Sequence, residues 1–229
     1  MKKALRIFGI IAVVTALIAT IVISMSSKPS NTDMVWDKDM TLGNLDAKNY
    51  YIIYGDLACP YCIYFENPIV ENIDHFKEYI AEKDILVEIR LTDFLYEYGT
   101  HKSDASRIGA IATYCAKDEG RFWDYYDLAV NTLYYNYFAN NTAGFDELDK
   151  AGEELWLGLG ESIGLSDDFE SCVKEQRPLA TIIERAKKTS LLANGMPYFK
   201  FNSYTFSGFT PNGTYDDVMS YMEAGLKSK

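Results

Sequence analysis

The chain has 229 residues, 48% hydrophobic and 14% aromatic, a content that excludes an intrinsically disordered polymer. Its 33 acidic residues outnumber 22 basic ones, and the net charge of −11 disfavours nucleic acid and anionic lipid headgroups as partners.

The N-terminus reads as a membrane signal. Lys2, Lys3 and Arg6 precede an apolar run from Ile7 to Ile23, close to the lower length limit for a spanning helix. Positive charge before the run predicts residues 1–6 inside the cytoplasm, a single-pass anchor at 7–25 and the body outside the plasma membrane. A cleaved signal peptide is the competing reading, which would make the body secreted or periplasmic; no A-x-A-like site follows the run. Residues 26–45, polar and bearing Pro29, Ser30 and Asn31, read as a linker, and 46–229 as one domain. Beyond Lys28 the chain holds 18 basic against 33 acidic residues, a net charge of −15 that solubility accounts for.

Tyr50–Tyr54 reads as a buried strand and Gly55-Asp56 as a turn. Pro60 to about Glu82 reads as a helix, with Ile63, Phe65, Ile69, Val70, Ile73, Phe76 and Ile80 at largely helical spacing and a kink at Pro68. Asp84–Leu91 alternates and reads as a second strand, which gives a β-α-β unit. Helices are expected at Ser103–Lys117, stopped by Gly120, and at Arg121–Phe138, then through about Ile163. Asp167 or Asp168 caps a short helix, and Pro178 opens another that ends near Asn194-Gly195. Pro197–Asn202 and Tyr204–Phe206 form a hairpin, and Thr214–Leu226 a last helix. The order β-α-β, helical block, β-β-α is that of an α/β thioredoxin fold interrupted by an all-helical insertion at about 98–194 and preceded by the N-terminal transmembrane helix.

The chemistry sits between the first strand and its helix, at Cys59-Pro60-Tyr61-Cys62. Unpaired N–H groups and the positive end of a helix dipole favour a thiolate at such a position, and the thiolate is the nucleophile of disulfide exchange. Pro60 fits the first turn because its missing N–H is not needed there. A zinc site is the competing use of C-x-x-C, but it normally brings a second pair or two spaced histidines. Here Cys115 and Cys172 are far apart, and His75 and His101 lack the usual spacing. Asn140-Asn141-Thr142 and Asn212-Gly213-Thr214 match the short glycosylation pattern, relevant only in a eukaryotic secretory route.

Taken together, these residues resemble the DsbA-like family of exported thiol–disulfide oxidoreductases, over about Leu42 to Leu226. Tyr54–Cys62 is similar to the family's active-site segment, Ala112–Ala116 with Gly120–Trp123 to its helical insertion, and Gly195–Phe199 to its cis-proline loop. The resemblance implies that Cys59 is the exposed nucleophile and Cys62 its buried partner, with Met196 and Pro197 beside them presenting backbone to an extended substrate. Pro60 and Tyr61 would tune the redox poise; Tyr61 offers a hydroxyl but no positive charge, so an oxidant milder than relatives with histidine there is expected. Many thioredoxin-fold proteins place a buried acid six residues before the first cysteine; Ile53 stands there, and the nearest acid, Asp56, either influences proton transfer or only forms the turn. Cys115 and Cys172 are either small buried hydrophobes or a structural disulfide.

The resemblance further implies a thiol oxidase for exported polypeptides with free cysteines, reoxidised by a quinone-linked membrane protein of the DsbB or VKOR kind. It needs no metal and no cofactor beyond the Cys59–Cys62 disulfide. A reductase of the same fold for exported apoproteins, or a protein holding metal through its cysteines, are the alternatives.

Overall fold

The computed structural model describes residues 35–99, 102–139, 144–209 and 213–227. The expected membrane segment at 7–25 lies outside them, as do His101, Asn140–Thr142 and Asn212; among the described residues no helix is long and apolar enough to cross a membrane.

Five strands form one sheet in the order β1-β3-β2-β4-β5: β1 Thr41–Leu42, β2 Asn49–Gly55, β3 Ile85–Leu91, β4 Tyr198–Phe201 and β5 Tyr204–Ser207. β2 and β3 run parallel, with Tyr51 opposite Val87, while β4 lies antiparallel on the other side of β2, with Phe199 opposite Ile53. A parallel pair needs a crossover. Helices α1 (Pro60–Glu71) and α2 (Ile73–Glu82) supply it. The sheet has both faces covered, which removes the alternation expected of β3: Ile85 through Ile89 are all buried. Val87 and Ile89 join the main core. The other face holds Glu88 in an ion pair with Arg90, whose guanidinium also donates to the Tyr54 hydroxyl.

Two boundaries differ from the sequence reading. Residues 38–42, expected within the linker, form a single 3-10 turn and then β1, and Met40 is fully buried. β1 covers the edge of β3, leaving fewer backbone groups unpaired there. The expected kink at Pro68 becomes a full break four residues later. Pro68 cannot donate to the preceding turn; the helix stops at Asn72, whose backbone is non-helical and whose Nδ2 donates to the Pro68 carbonyl at 2.9 Å.

Between β3 and β4 lie α3 (Phe94–Tyr98), α4 (Asp104–Asp118), α5 (Phe122–Leu133, continued by a wider turn at Tyr134–Phe138), α6 (Gly144–Ser162), α7 (Asp167–Lys174) and α8 (Leu179–Leu192); α9 (Tyr215–Lys227) closes the fold. α4 ends before Gly120, whose φ of +72° lets the chain reverse. Gly109 lets Trp156 of α6 press onto α4, since a Cβ there would sit 2.6 Å from the indole. α7 is capped by Ser166, not by Asp167 or Asp168: its hydroxyl accepts from the Asp168 N–H at 3.2 Å.

Cys115 and Cys172 are disulfide-bonded, joining α4 to α7 in the insertion, with both residues buried. The bond closes a loop of 57 residues. Replacing both cysteines by alanine is expected to lower the unfolding free energy by about 4 kcal/mol, read by urea denaturation of the oxidised protein. The rate of any reaction at Cys59 and Cys62 is expected to stay unchanged.

Candidate active site

β2 ends at Gly55, and after four residues the chain enters α1 at Pro60. The Cys59 N–H donates to the Asp56 carbonyl at 2.9 Å, which closes the turn and makes Cys59 the N-cap of α1, with Pro60 at its first position. Cys62 lies one turn in. Cys59 keeps 5% of its surface exposed and Cys62 none: both are buried, contrary to the expected exposed Cys59, because Met196 and Tyr198 pack against it, and Cys59 is the outer of the two. Both are unbonded thiols.

Met196 and Pro197 come to the same place from the far end of the insertion. The Met196–Pro197 peptide is cis, and the Cys59 thiol donates to the Met196 carbonyl across 3.9 Å. Both cysteines pack with Met196 and Tyr198, and Tyr54, Phe94, Leu95 and Ala193 surround them. Tyr61 points outward, 46% exposed, with its ring edge-on to Tyr64, which in turn is edge-on to Tyr134. Five residues singled out from the sequence (Asp56, Cys59, Cys62, Met196 and Pro197) are thus neighbours, with Pro60 and Tyr61 between the sulfurs in sequence. Cys115 and Cys172 belong to the insertion's own core.

Asp56 does more than form the turn. Its side chain is fully buried and accepts three hydrogen bonds: from the Ala58 N–H at 2.9 Å, the Leu95 N–H at 2.8 Å and the Ser106 hydroxyl at 2.7 Å. Its backbone N–H donates to Cys62 Sγ at 3.4 Å. Burial raises the carboxyl to about 6, against the three hydrogen bonds, which pull it down.

Sequence reasoning missed Glu66. It lies four residues after Cys62 on the same face of α1 and is fully buried. Burial pushes its carboxyl up to about 8; the hydroxyl of Tyr126 opposes the rise and the charge of Asp56 adds to it. Cys62, Ile63, Phe65, Asn67, Pro68 and Ile69 all sink into the core around it, so α1 has almost no solvent face at this level. Gly55 makes room for Glu66, because a Cβ at Gly55 would lie 2.5 Å from Oε1. Cys62 is pushed well up as well, first by burial, then by its hydrogen bond to Cys59, and further by the charges of Cys59, Glu66 and Asp56. A thiolate at Cys62 is therefore costly, and a proton source stands one helical turn away.

A family model described as thioredoxin matches residues 36–218. No curated protein matches the chain. Among solved structures, oxidised BdbD from Bacillus subtilis superposes with a TM-score of 0.56 at 19% identity, covering 82% of this chain and 93% of that one. α-DsbA1 from Wolbachia pipientis gives 0.57 at 16% identity, covering 87% and 100%. The reduced disulfide bond oxidoreductase DsbG from Mycobacterium tuberculosis gives 0.56 at 15%, covering 89% and 86%. At these identities the likeness is one of fold.

The buried carboxyls set the pH dependence of stability. Glu66 titrates near 4.5 when unfolded and about 8 when folded. Between those values the folded state holds a proton that the unfolded state has lost, so stability falls as pH rises through the window. Asp56 acts in the same sense between 3.8 and about 6. Glu66→Gln is expected to be more stable than wild type at pH 8, by up to about 4 kcal/mol, and near wild type at pH 4.5, with urea midpoints as the readout. Equal slopes for both proteins across this range would contradict the buried, protonated state of Glu66. Asp56→Ala, which leaves three donors without their acceptor, is expected to cost about 3 kcal/mol at pH 7.

Proposed function

The chain belongs to the thioredoxin family, and on that premise we propose that it is a thiol–disulfide oxidoreductase that oxidises cysteine pairs in exported polypeptides. The observation behind this reading is the meeting of two free sulfurs at one helix N-terminus with the Met196 carbonyl 3.9 Å from Cys59 Sγ. The fold shared with solved proteins described as disulfide oxidoreductases and thiol–disulfide exchange proteins supports it.

In the oxidised enzyme a substrate thiolate attacks Cys59 Sγ, the outer sulfur. The Cys59–Cys62 bond breaks, and Cys62 leaves with the electron pair into a buried site that disfavours its charge. Glu66, a neutral acid near pH 7 because of its burial, gives Cys62 a proton. The backbone of Met196 pairs with the substrate strand and holds the mixed disulfide in line. The substrate's second thiolate then attacks the substrate sulfur bonded to Cys59. It releases the oxidised substrate and a Cys59 thiolate at the helix N-terminus. Two electrons now reside on the enzyme's dithiol, and reoxidation falls to a quinone-linked membrane protein of the DsbB or VKOR kind. The basic residues Lys2, Lys3 and Arg6 and the apolar run after them favour a membrane-tethered body on the extracytoplasmic side. No cofactor other than the Cys59–Cys62 disulfide enters the cycle.

Two measurements test this. Cys62→Ala, expressed in full length, is expected to accumulate covalent adducts of exported polypeptides through Cys59, and Cys59→Ser to accumulate none. The potential of the Cys59–Cys62 pair is expected above about −200 mV, on the oxidising side, but below that of relatives with histidine at the position of Tyr61, because Tyr61 adds no positive charge. A value near thioredoxin's, about −270 mV, would reverse the direction and make the chain a reductase.

A further inference from the structure

We propose that the helical insertion supplies the route by which Glu66 recovers its proton from solvent: one internal water held between Glu66, Tyr126 and Asp127. This rests on the dithiol exchange proposed above.

A cavity lies between the sheet and helices α1, α2 and α5, bounded by Ile53, Val70, Val87, Glu66, Tyr126 and Asp127 among others. It offers about 10 Å³ to the centre of a water molecule, near the lower limit for holding one. Its wall is apolar except at a few side chains. Both oxygens of Glu66, the hydroxyl of Tyr126 and Oδ1 of Asp127 are buried without a hydrogen bond of ordinary geometry among the described residues. Eight side-chain atoms share that condition among the described residues, and four of them belong to these three residues on one cavity. A buried polar atom left unpaired costs about 1–3 kcal/mol. One water with three such partners relieves several of these costs at once.

The arrangement leads outward. Glu66 faces Cys62 on its own helix, Asp56 on the preceding turn and Tyr126 on α5. Asp127 is only partly buried and faces Lys77 on α2 and Asp124 on α5, so its carboxyl joins the cavity to solvent. Burial raises it to about 6, which keeps a fraction of it protonated near neutrality. After Glu66 has protonated Cys62, the water gives a proton to the Glu66 carboxylate and takes one from the Asp127 carboxyl. Asp127 recharges from bulk, and Tyr126 holds the water by its hydroxyl. One solvent proton enters and no electrons move.

The test is a single turnover of the oxidised full-length chain with a reduced dithiol peptide, followed between pH 6 and 9. The two protons that the peptide thiols release to solvent and the one that the enzyme takes up are read with an indicator dye, the release being calibrated with the peptide alone and the later uptake resolved from it in time, and mixed-disulfide formation by mass spectrometry. Asp127→Asn is expected to slow proton uptake at least fivefold and to enlarge its solvent isotope effect, with rescue by Asp127→Glu. Tyr126→Phe is expected to slow it as well; if that variant does not fold, the Asp127 pair decides alone. Wild-type uptake rates and isotope effects in Asp127→Asn would overturn the relay, whatever Glu66→Gln does. A wild-type chain that forms no mixed disulfide would instead refute the oxidoreductase reading.

Discussion

The carboxylate of Asp56 accepts hydrogen bonds from its own turn, from α3 and from α4, and the positions of both sulfurs follow from that convergence. Its backbone carbonyl holds the Cys59 N–H, and its N–H meets Cys62 Sγ. One residue thereby fixes the entry to α1 and the orientation of Cys62, and it clamps the thioredoxin half onto the insertion. A buried carboxyl without such donors would be strongly disfavoured. With three of them it becomes a rigid joint.

The clamp also decides the electrostatics below the sulfurs. α1 is pressed between the sheet and α5, so the side chains that follow Cys62 have no water to turn toward. Phe65 packs on Phe199 with ring centroids 4.6 Å apart and on Phe209 at 5.1 Å. Glu66, next along the chain, is caught in the same dry layer. In that layer a charge is worse off than a neutral acid or thiol, which is why Cys62 and Glu66 both move toward their protonated forms. The outer and the inner sulfur therefore differ in more than exposure.

The insertion is built to be stiff where it touches this site. Arg107 binds Asp93 and Glu97 together and stacks on Tyr96, which steadies α3 and the start of α4 next to the Asp56 acceptor. Farther out, Trp156 seated on Gly109 and the Cys115–Cys172 bond tie α4 to α6 and α7. Tyr126, whose ring stacks on Phe122, belongs to this block and yet reaches the cavity beside Glu66.

Local features of the chain were enough to place four of the five strands, most helices and the Cys59–Cys62 pair. The reason is that each depends on neighbours in sequence: β-branched and aromatic runs for β2 and β4, Gly120 for the end of α4, and strand–Cys–Pro–helix for the sulfurs. The readings that shifted depended on distant partners. Leu42 joins the sheet only because β3 has an edge to cover. Glu88 is buried only because Arg90 and a second layer meet it, and Cys115 finds Cys172 only when α4 and α7 pack. The partners of Asp56, whose two readings the sequence left open, and the burial of Glu66 were likewise invisible, since a carboxyl's protonation and partners are set by what surrounds it in space. By itself the sequence determined where the two thiols stand on their helix; only the tertiary structure decided which of them is dry and which acid lies within its reach, because burial is a property of packing and not of spacing.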